Sequence, residues 1–329
     1  MRDDTFLFPC SLGKVLTAIA LMQQLEKGRF ALDDDVGASL PFPLRNPRWP
    51  DVPITWRMLM THTSSIQDDE AALELGYVYG RDHPLALGAY LEGIFKAGSP
   101  YAEGSFLESR PGTERVYSNI AVDVAGYALE RLLEEPFAHY VTRAILQPLK
   151  IDASYSLEAL PRDRIGVGYG RKRGPDSAWV YSPNRVSFAH LPGSPSILEN
   201  MFAGPDPPAG TLYTSALQFA KVMMMLMNGG SLEGVKVLES GSVEALLTPS
   251  GFWSVYAYRQ GLILYATRNL EDQEVWGHDG EDRGYIASMF FHREKRLGAV
   301  AFANANRDDF LLSRRLVDLD LHMMDWFDR

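Results

Sequence analysis

Ser11-Leu12-Gly13-Lys14, continuing as Val15-Leu16-Thr17-Ala18-Ile19-Ala20-Leu21-Met22-Gln23-Gln24-Leu25-Glu26-Lys27, is the most strongly patterned stretch of the 329-residue chain. Apolar residues recur at Val15, Ala18, Ile19, Met22 and Leu25, the i, i+3, i+4 spacing of an amphipathic helix, and Gly28 stands where such a helix would stop. The spacing predicts a helix over Ser11–Lys27. Ser11 and Lys14 are three apart on its first turn, so their side chains share a face and the ammonium lies beside the hydroxyl. The N–H groups of a helix start lack intrahelical partners and can receive a developing oxyanion. A lysine desolvated there can release its proton near neutrality and act as base toward the serine. A serine cap followed by a surface lysine gives the same spacing and is commoner, so the pair needs support from elsewhere in the chain.

Working outward, Thr55 reads as the N-cap of a helix over Trp56–Met60, and Asn119–Leu133 as a longer helix with Val122, Ala125, Leu129 and Leu132 on one stripe. From Arg162 to Gly210 the chain is rich in Gly, Pro and Ser and is expected to be long irregular structure framing a site. The helical period returns over Ser215–Asn228, where Met223–Met225 read as core. From Tyr258 it shifts toward strands: Gly261–Thr267, Glu274–His278, Tyr285–His292 and Leu297–Asn304 are expected to form an antiparallel meander. An amphipathic helix over Phe310–Phe327 would cover one face of it.

Two further motifs occur once each. Tyr117-Ser118-Asn119 opens the long helix; it is either a turn with Asn as cap, or a phenol that relays a proton beside an amide that orients lysine and substrate. His278-Asp279-Gly280 ends an expected strand, where it is either a hairpin turn or an imidazole and backbone N–H groups presented on a strand edge.

Composition narrows the field. With 46% hydrophobic and 22% charged residues the chain is an ordinary globular protein, long enough to bury a large core without staples. Its net charge of −10 argues against nucleic acid as a partner. The single cysteine, Cys10, cannot close an internal disulfide or organise a structural zinc site, and the histidines have no metal-ligand spacing. No metal or cofactor is therefore expected. The apolar runs Val15–Met22 and Val222–Met227 are too short to span a bilayer, and Met1-Arg2-Asp3-Asp4 does not read as a secretion signal, so the compartment is left open. A Gly-x-Ser-x-Gly elbow and a His-Glu-x-x-His zinc motif are both missing.

The motifs Ser-x-x-Lys, Tyr-x-Asn and His-x-Gly, in that order, resemble those of the serine hydrolases built on the class C β-lactamase and penicillin-binding-protein fold, a group that includes esterases and D-aminopeptidases. The likeness extends to Asp4-Thr5-Phe6-Leu7-Phe8 and to Ile54-Thr55-Trp56-Arg57-Met58-Leu59-Met60-Thr61-His62-Thr63-Ser64-Ser65. It continues through Pro111-Gly112-Thr113, Gln147-Pro148-Leu149 and Pro208-Ala209-Gly210-Thr211-Leu212-Tyr213. It implies an α+β fold of the β-lactamase/transpeptidase type, an antiparallel sheet flanked by helices plus a mostly helical lobe. Residues 1–205 would hold the nucleophile helix and the helical lobe and residues 206–329 the sheet lobe, with the site at their junction.

Carried over by motif, the resemblance makes Ser11 the acylated nucleophile, Lys14 its base, Tyr117 the proton relay and Asn119 a ligand of substrate and lysine. His278 would stand where many members have lysine, His278, Asp279 and Gly280 would line the substrate, and the N–H groups of Ser11 and Glu281 would form the oxyanion hole. Cys10 replaces the usual Gly or Ala, which leaves a thiol nucleophile as the alternative to a small buried thiol. Lys172-Arg173-Gly174 could rival His278 as third motif, but its neighbours are loop-forming. Acid at Asp279, Glu281 and Asp282 is expected to disfavour substrate carboxylates, so a carboxylesterase on small esters is the first expectation. The alternatives are a D-aminopeptidase, a weak β-lactamase or DD-peptidase, or a catalytically silent binding or scaffold protein.

In relatives of this type two strands precede the nucleophile and join the sheet. Here they are expected to be missing, which would leave Leu297–Asn304 as an apolar edge open to self-association or mark a shortened form of a longer product.

Overall fold

The helix that begins at the Ser-x-x-Lys pair is the buried axis of the molecule. In the computed structural model, which describes residues 2–96, 98–102, 104–173, 179–183, 201–253, 258–268, 272–306, 317–319 and 322–324, a 3₁₀ turn at Cys10–Leu12 leads into α1, Gly13–Glu26. Every residue from Gly13 to Met22 is buried, so α1 is enclosed on all sides and is not the amphipathic surface helix its spacing suggested. Its few polar side chains are tolerated because they are bonded; Thr17 Oγ1, for one, donates to the Pro208 carbonyl at 2.7 Å. Gly28 follows at φ +66°, a left-handed stop.

Several of the other helices start at side-chain caps. Thr55 accepts from Met58 N at the head of α2, Trp56–Met60. Ser118 accepts from Ala121 N at the head of α3, Asn119–Leu133, and Ser215 from Gln218 N at the head of α4, Ala216–Met227. Because Ser118 is the cap of α3, the side chain of Asn119 is free for another task.

The sheet lies against this helical body. Its strands β1 (Arg259–Gln260), β2 (Tyr265–Arg268), β3 (Glu274–Asp282), β4 (Tyr285–His292) and β5 (Leu297–Ala303) pair antiparallel in sequence order. The first expected strand is interrupted because Gln260 Nε2 donates to the carbonyls of Gly261, Ile263 and Leu264 and ties them into a turn. The third motif also differs from expectation: it does not end its strand. β3 runs on to Asp282 and turns at Arg283-Gly284, so His278-Asp279-Gly280 lies mid-strand opposite Met289-Ser288-Ala287.

Strand alternation then sorts this region into two faces. Trp276, Met289, Ala287 and Phe291 join the main core around α1. Val275, Phe290, Tyr265 and Ala299 form a second cluster on the opposite face, where Val317 and Met324 are buried against them. The expected helix Phe310–Phe327 lies otherwise largely outside the described residues. At β5, β4 pairs on one side and no strand among the described residues pairs on the other, while Val300 and Phe302 pack on the main core.

Arg162–Gly210 is not wholly irregular. Tyr169–Arg173 pairs with Trp179–Pro183 as a hairpin, and Phe202–Ala203 pairs with Val78–Tyr79; turn-rich composition hid these strands because the periodic runs are short. Lys172 and Arg173 sit on that hairpin, apart from β3. No helix among the described residues is long and apolar enough to cross a membrane.

Candidate active site

Ser11 stands in the 3₁₀ turn and Lys14 one turn further on, fully buried. Lys14 Nζ donates to Ser11 Oγ at 2.9 Å, to Asn119 Oδ1 at 2.7 Å and to the Ala209 carbonyl at 2.5 Å. From the other side the Tyr117 hydroxyl donates to Ser11 Oγ, also at 2.9 Å. Two acceptors outside the serine thus fix two of the three amine positions. The third points at Ser11 Oγ and holds an N–H when the lysine is charged, a lone pair when it is neutral. Ala209 comes this close because two glycines let backbones meet: a Cβ on Gly13 would lie 2.8 Å from Gly210 Cα, and one on Gly210 2.5 Å from the Cys10 carbonyl oxygen.

Asn119 is held by a residue that no motif singled out. Asp68 Oδ2 accepts from Asn119 N at 3.0 Å and from Asn119 Nδ2 at 2.8 Å, while Oδ1 accepts from Ser118 Oγ at 2.8 Å and Ile120 N at 3.0 Å. A carboxylate at the start of α3 meets the positive end of the helix dipole and its unpaired N–H groups. With its amide N–H₂ engaged there, Asn119 turns its oxygen to Lys14. Tyr117 is supported by His62, whose ring centroid lies 4.5 Å away and whose Nδ1 accepts from Ser118 N. Burial holds the His62 imidazole well below its usual pKa, so it is neutral there.

On β3, Gly280 faces the nucleophile: a Cβ there would lie 2.7 Å from Ser11 N and 2.6 Å from the Pro9 carbonyl oxygen. His278 shares that face, buried, with its ring centroid 6.3 Å from that of Tyr117. Its Nδ1 donates to the Asp279 carbonyl, and burial lowers its pKa to about 4, with Lys14 and Arg115 adding to the drop against the pull of Asp279. At neutral pH His278 is no cation. Asp279 departs from the expected substrate-lining role: it alternates onto the opposite face, where its Oδ1 accepts from Tyr265 OH at 2.6 Å. A second cation whose charge reaches His278, after Lys14, is Arg115, a residue the sequence did not flag, whose Nε donates to Gln260 Oε1 at 2.9 Å.

A cavity of about 140 Å³ opens beside the nucleophile. Ser11 and Asn119 line it together with Tyr77, Phe202, Thr211, Asp206, Glu281 and Asp282. Burial raises the carboxyls of Asp206 and Asp282 to about 6. Asp282 Oδ2 accepts from Tyr77 OH at 2.9 Å. Cys10, in the left-handed region at φ +53°, is buried, and burial followed by the charges of Asp282 and Glu281 pushes its thiol well up; a thiolate nucleophile is disfavoured.

Residues 1–322 match the family model described as Beta-lactamase. The chain belongs to the beta-lactamase family, whose members are serine hydrolases. It is 23% identical over 297 residues to protein flp of Staphylococcus aureus (strain MRSA252), an alignment covering 90% of this chain and 52% of flp; the chain thus spans about half the length of that relative. Among solved structures it resembles the D-amino acid amidase of Ochrobactrum anthropi SV3 complexed with L-phenylalanine amide, with a TM-score of 0.74 and 18% identity, covering 100% of this chain and 86% of the amidase. It also resembles the octameric penicillin-binding protein homologue from Pyrococcus abyssi, with a TM-score of 0.67 and 20% identity, covering 93% and 63% of the two chains. These likenesses carry the fold: β-lactamase/transpeptidase-like and α+β.

Within that fold, Ser11, Lys14, Tyr117 and Asn119 form one hydrogen-bonded group although 106 positions separate Ser11 from Tyr117. Gly280 meets them through backbone, His278 lies behind them and Glu281 lines the cavity. Asp68, Asp206 and Arg115 were missed. Each is a single charged residue with no spacing relation to a motif, and Asp206 sits in Pro205-Asp206-Pro207-Pro208, which reads only as a turn.

Proposed function

We propose that this protein is a serine hydrolase that cleaves small esters or amides through an acyl-enzyme on Ser11. The observation that carries the reading is the placement of Ser11 Oγ 2.9 Å from both Lys14 Nζ and Tyr117 OH. In its neutral form Lys14 takes the hydroxyl proton as Ser11 Oγ bonds to the substrate carbonyl carbon. The carbonyl oxygen becomes an oxyanion, received by the backbone N–H groups of Ser11 and Glu281, whose peptide follows Gly280 alongside the Ser11 nitrogen. Tyr117 then protonates the leaving oxygen or nitrogen as its bond to carbon breaks and is reprotonated through Lys14. A water attacks the acyl ester as the Lys14–Tyr117 pair takes its proton, and the pair passes that proton to Ser11 Oγ as the bond between Oγ and the acyl carbon breaks and the acid departs. Asn119 fixes the lysine and offers its amide to the bound acyl chain.

Small esters are the first substrates of choice, since an alcohol or phenol leaves more readily than an amine. Of the acids Asp279, Glu281 and Asp282 expected to repel carboxylates, Asp279 drops out with its side chain on the far face, while Asp282 lines the cavity beside Ser11. The reading keeps the site where residues 1–205 meet residues 206–329. It also leaves the β5 edge as the surface through which copies would associate; the Pyrococcus abyssi homologue is octameric.

The test is intact mass after incubation with a fluorophosphonate probe, followed by peptide mapping. One adduct on Ser11 is expected. No adduct on a folded chain would favour a catalytically silent scaffold, and an adduct on Cys10 would move the nucleophile.

A further inference from the structure

We infer that the cavity lined by Asp206, Asp282, Tyr77 and Thr211 beside Ser11 is a subsite for a cationic amine on the acyl part of the substrate, so that the preferred acyl donor carries a protonated amino group next to its carbonyl. The inference rests on the Ser11 acyl-enzyme reading and gives it a substrate class.

Three independent features point to a cation. The first is the charge of the lining. Asp206 and Asp282 bring two carboxylates to one small cavity, and like charges confined together in a partly desolvated space are relieved by a counter-charge. The charges of Lys14 and Arg283 pull the Asp282 carboxyl down, and that of Lys14 the Asp206 carboxyl, but not enough to offset burial. Lys14 is bonded to Ser11, Asn119 and Ala209. Arg283 lies 3.7 Å over the Tyr77 ring and donates to Tyr79 OH and to Glu74. The raised pKa values of Asp206 and Asp282, caused chiefly by burial and in Asp206 also by the charge of Asp282, are the cost that an incoming cation would lift.

The second feature is an orphaned acceptor. Thr211 is 7% exposed, lines the same cavity, and its Oγ1 has no hydrogen-bond partner among the described residues. A buried hydroxyl without a partner is destabilising unless a ligand or water completes it. An ammonium brings three donors, enough for Asp206, Asp282 and Thr211 together.

The third is position and size. Ser11 and Asn119 line the cavity with the carboxylates, so a group bound there belongs to the acyl half of a substrate whose carbonyl sits at Ser11 Oγ. About 140 Å³ admits a few non-hydrogen atoms, which suits an amine and a short side chain. The aromatic wall of Tyr77 and Phe202 gives the side chain an apolar surface and the cation a π face.

The experiment compares two esters of nearly equal shape, alanine p-nitrophenyl ester, with its ammonium, and p-nitrophenyl isobutyrate, with a methyl group in that place. For each, kcat/KM at pH 7 is divided by the spontaneous hydrolysis rate, which removes the intrinsic activation by the ammonium. The normalised preference for the alanine ester is expected to be about tenfold or more, and to fall about tenfold in Asp282→Asn and in Asp206→Asn. Thr211→Val, a near-isosteric change, should lower the preference by a smaller factor, and fluorophosphonate labelling of Ser11 in each variant verifies that it has folded. If wild type acylates from both esters with a normalised preference near one, the subsite is wrong and the acyl-enzyme reading stands. A preference that persists undiminished in all three folded variants also overturns it, because other residues then make the selection. If neither ester leaves an acyl group on Ser11 by intact mass, the hydrolase reading fails and takes the subsite with it.

Discussion

Asp68 Oδ2 sits 2.8 Å from Asn119 Nδ2 and 3.0 Å from Asn119 N, so a single carboxylate oxygen fixes both the backbone and the side chain of the residue that faces Lys14. The consequence reaches the nucleophile in two steps. Asp68 sets which end of the amide Asn119 presents, and the Asn119 oxygen, 2.7 Å from Lys14 Nζ, sets where the amine points. In Asp68→Asn the new amide has one acceptor oxygen in place of two, and the Asn119 side chain is free to rotate. We expect kcat/KM on p-nitrophenyl acetate to fall about tenfold to a hundredfold, the range for a small misplacement of a catalytic group. The loss of a charged partner at the start of α3 should cost about 1–2 kcal/mol in urea denaturation. A variant that loses stability but keeps its turnover would show that Asp68 supports only the helix.

Lys14 is bonded to three acceptors and shielded from solvent, and substitutions there separate charge from basicity. Lys14→Arg keeps a cation but cannot accept a proton, and its fork needs more room than the site has. Activity should drop by about 10²–10⁴-fold in both Lys14→Arg and Lys14→Ala, the usual worth of a general base. Ser11→Ala should abolish labelling by the fluorophosphonate with little change in melting temperature, since Ser11 makes no side-chain cap to α1. Normal turnover in Lys14→Arg would remove Lys14 from the proton-transfer step.

His278 gives a pH signature with a definite sign. Its pKa is lowered from 6.5 to about 4 in the fold, mainly by burial, so between those values the unfolded chain binds the extra proton and the folded one does not. Its contribution to stability is therefore complete above pH 6.5 and is lost as pH falls toward 4. His278→Asn removes this dependence. Relative to wild type, the variant should gain about 2 kcal/mol between pH 7.5 and pH 5. Urea denaturation of both proteins at the two pH values measures it, and parallel curves would mean that His278 titrates in the fold as it does in the unfolded chain. The same neutrality means that replacing a family lysine by His278 removes a charge at pH 7 instead of exchanging one cation for another.

What could be read in the chain, and what could not, follows from how local each signal is. The cap at Thr55, the span Asn119–Leu133 and the helix after Ser215 are set by neighbours within a turn, and they stand where the spacing put them. Ser11, Lys14, Tyr117 and Asn119 were legible because each sits in a short motif that occurs once. A turn at Asp279-Gly280 stayed open beside the strand-edge reading because the reason for the glycine is remote: the backbone of Pro9–Ser11 presses on Gly280 from elsewhere in the chain. A one-residue difference in strand phase then carried Asp279 to the opposite face. Asp68 and Asp206 act through partners far along the chain, and no local pattern marks a carboxylate that will be buried by tertiary packing.

The phase of β3 makes a last prediction about substrate choice. If Asp279 and Glu281 both faced the substrate, neutralising them would ease the approach of a penicillin carboxylate. Asp279 instead accepts from Tyr265 OH at 2.6 Å, within the cluster that Val275, Phe290 and Ala299 form on the far side of the sheet. Asp279→Asn should therefore cost about 1–2 kcal/mol of stability through a weakened bond to Tyr265, without accelerating acylation of Ser11 by benzylpenicillin. Arg115 acts in the other direction. With Lys14 it is a cation whose charge reaches His278, and it also acts on His62 and interacts with Tyr117 beside the nucleophile. Arg115→Gln, which keeps a side chain able to bond to Gln260, should slow penicillin acylation more than it slows p-nitrophenyl acetate turnover, by about threefold to tenfold in the ratio, because only the penicillin carries a carboxylate for that charge to attract. The measurement is the second-order acylation rate constant by intact mass for each variant. Faster penicillin acylation in Asp279→Asn would place that carboxylate back in the substrate's field and undo the assignment of faces.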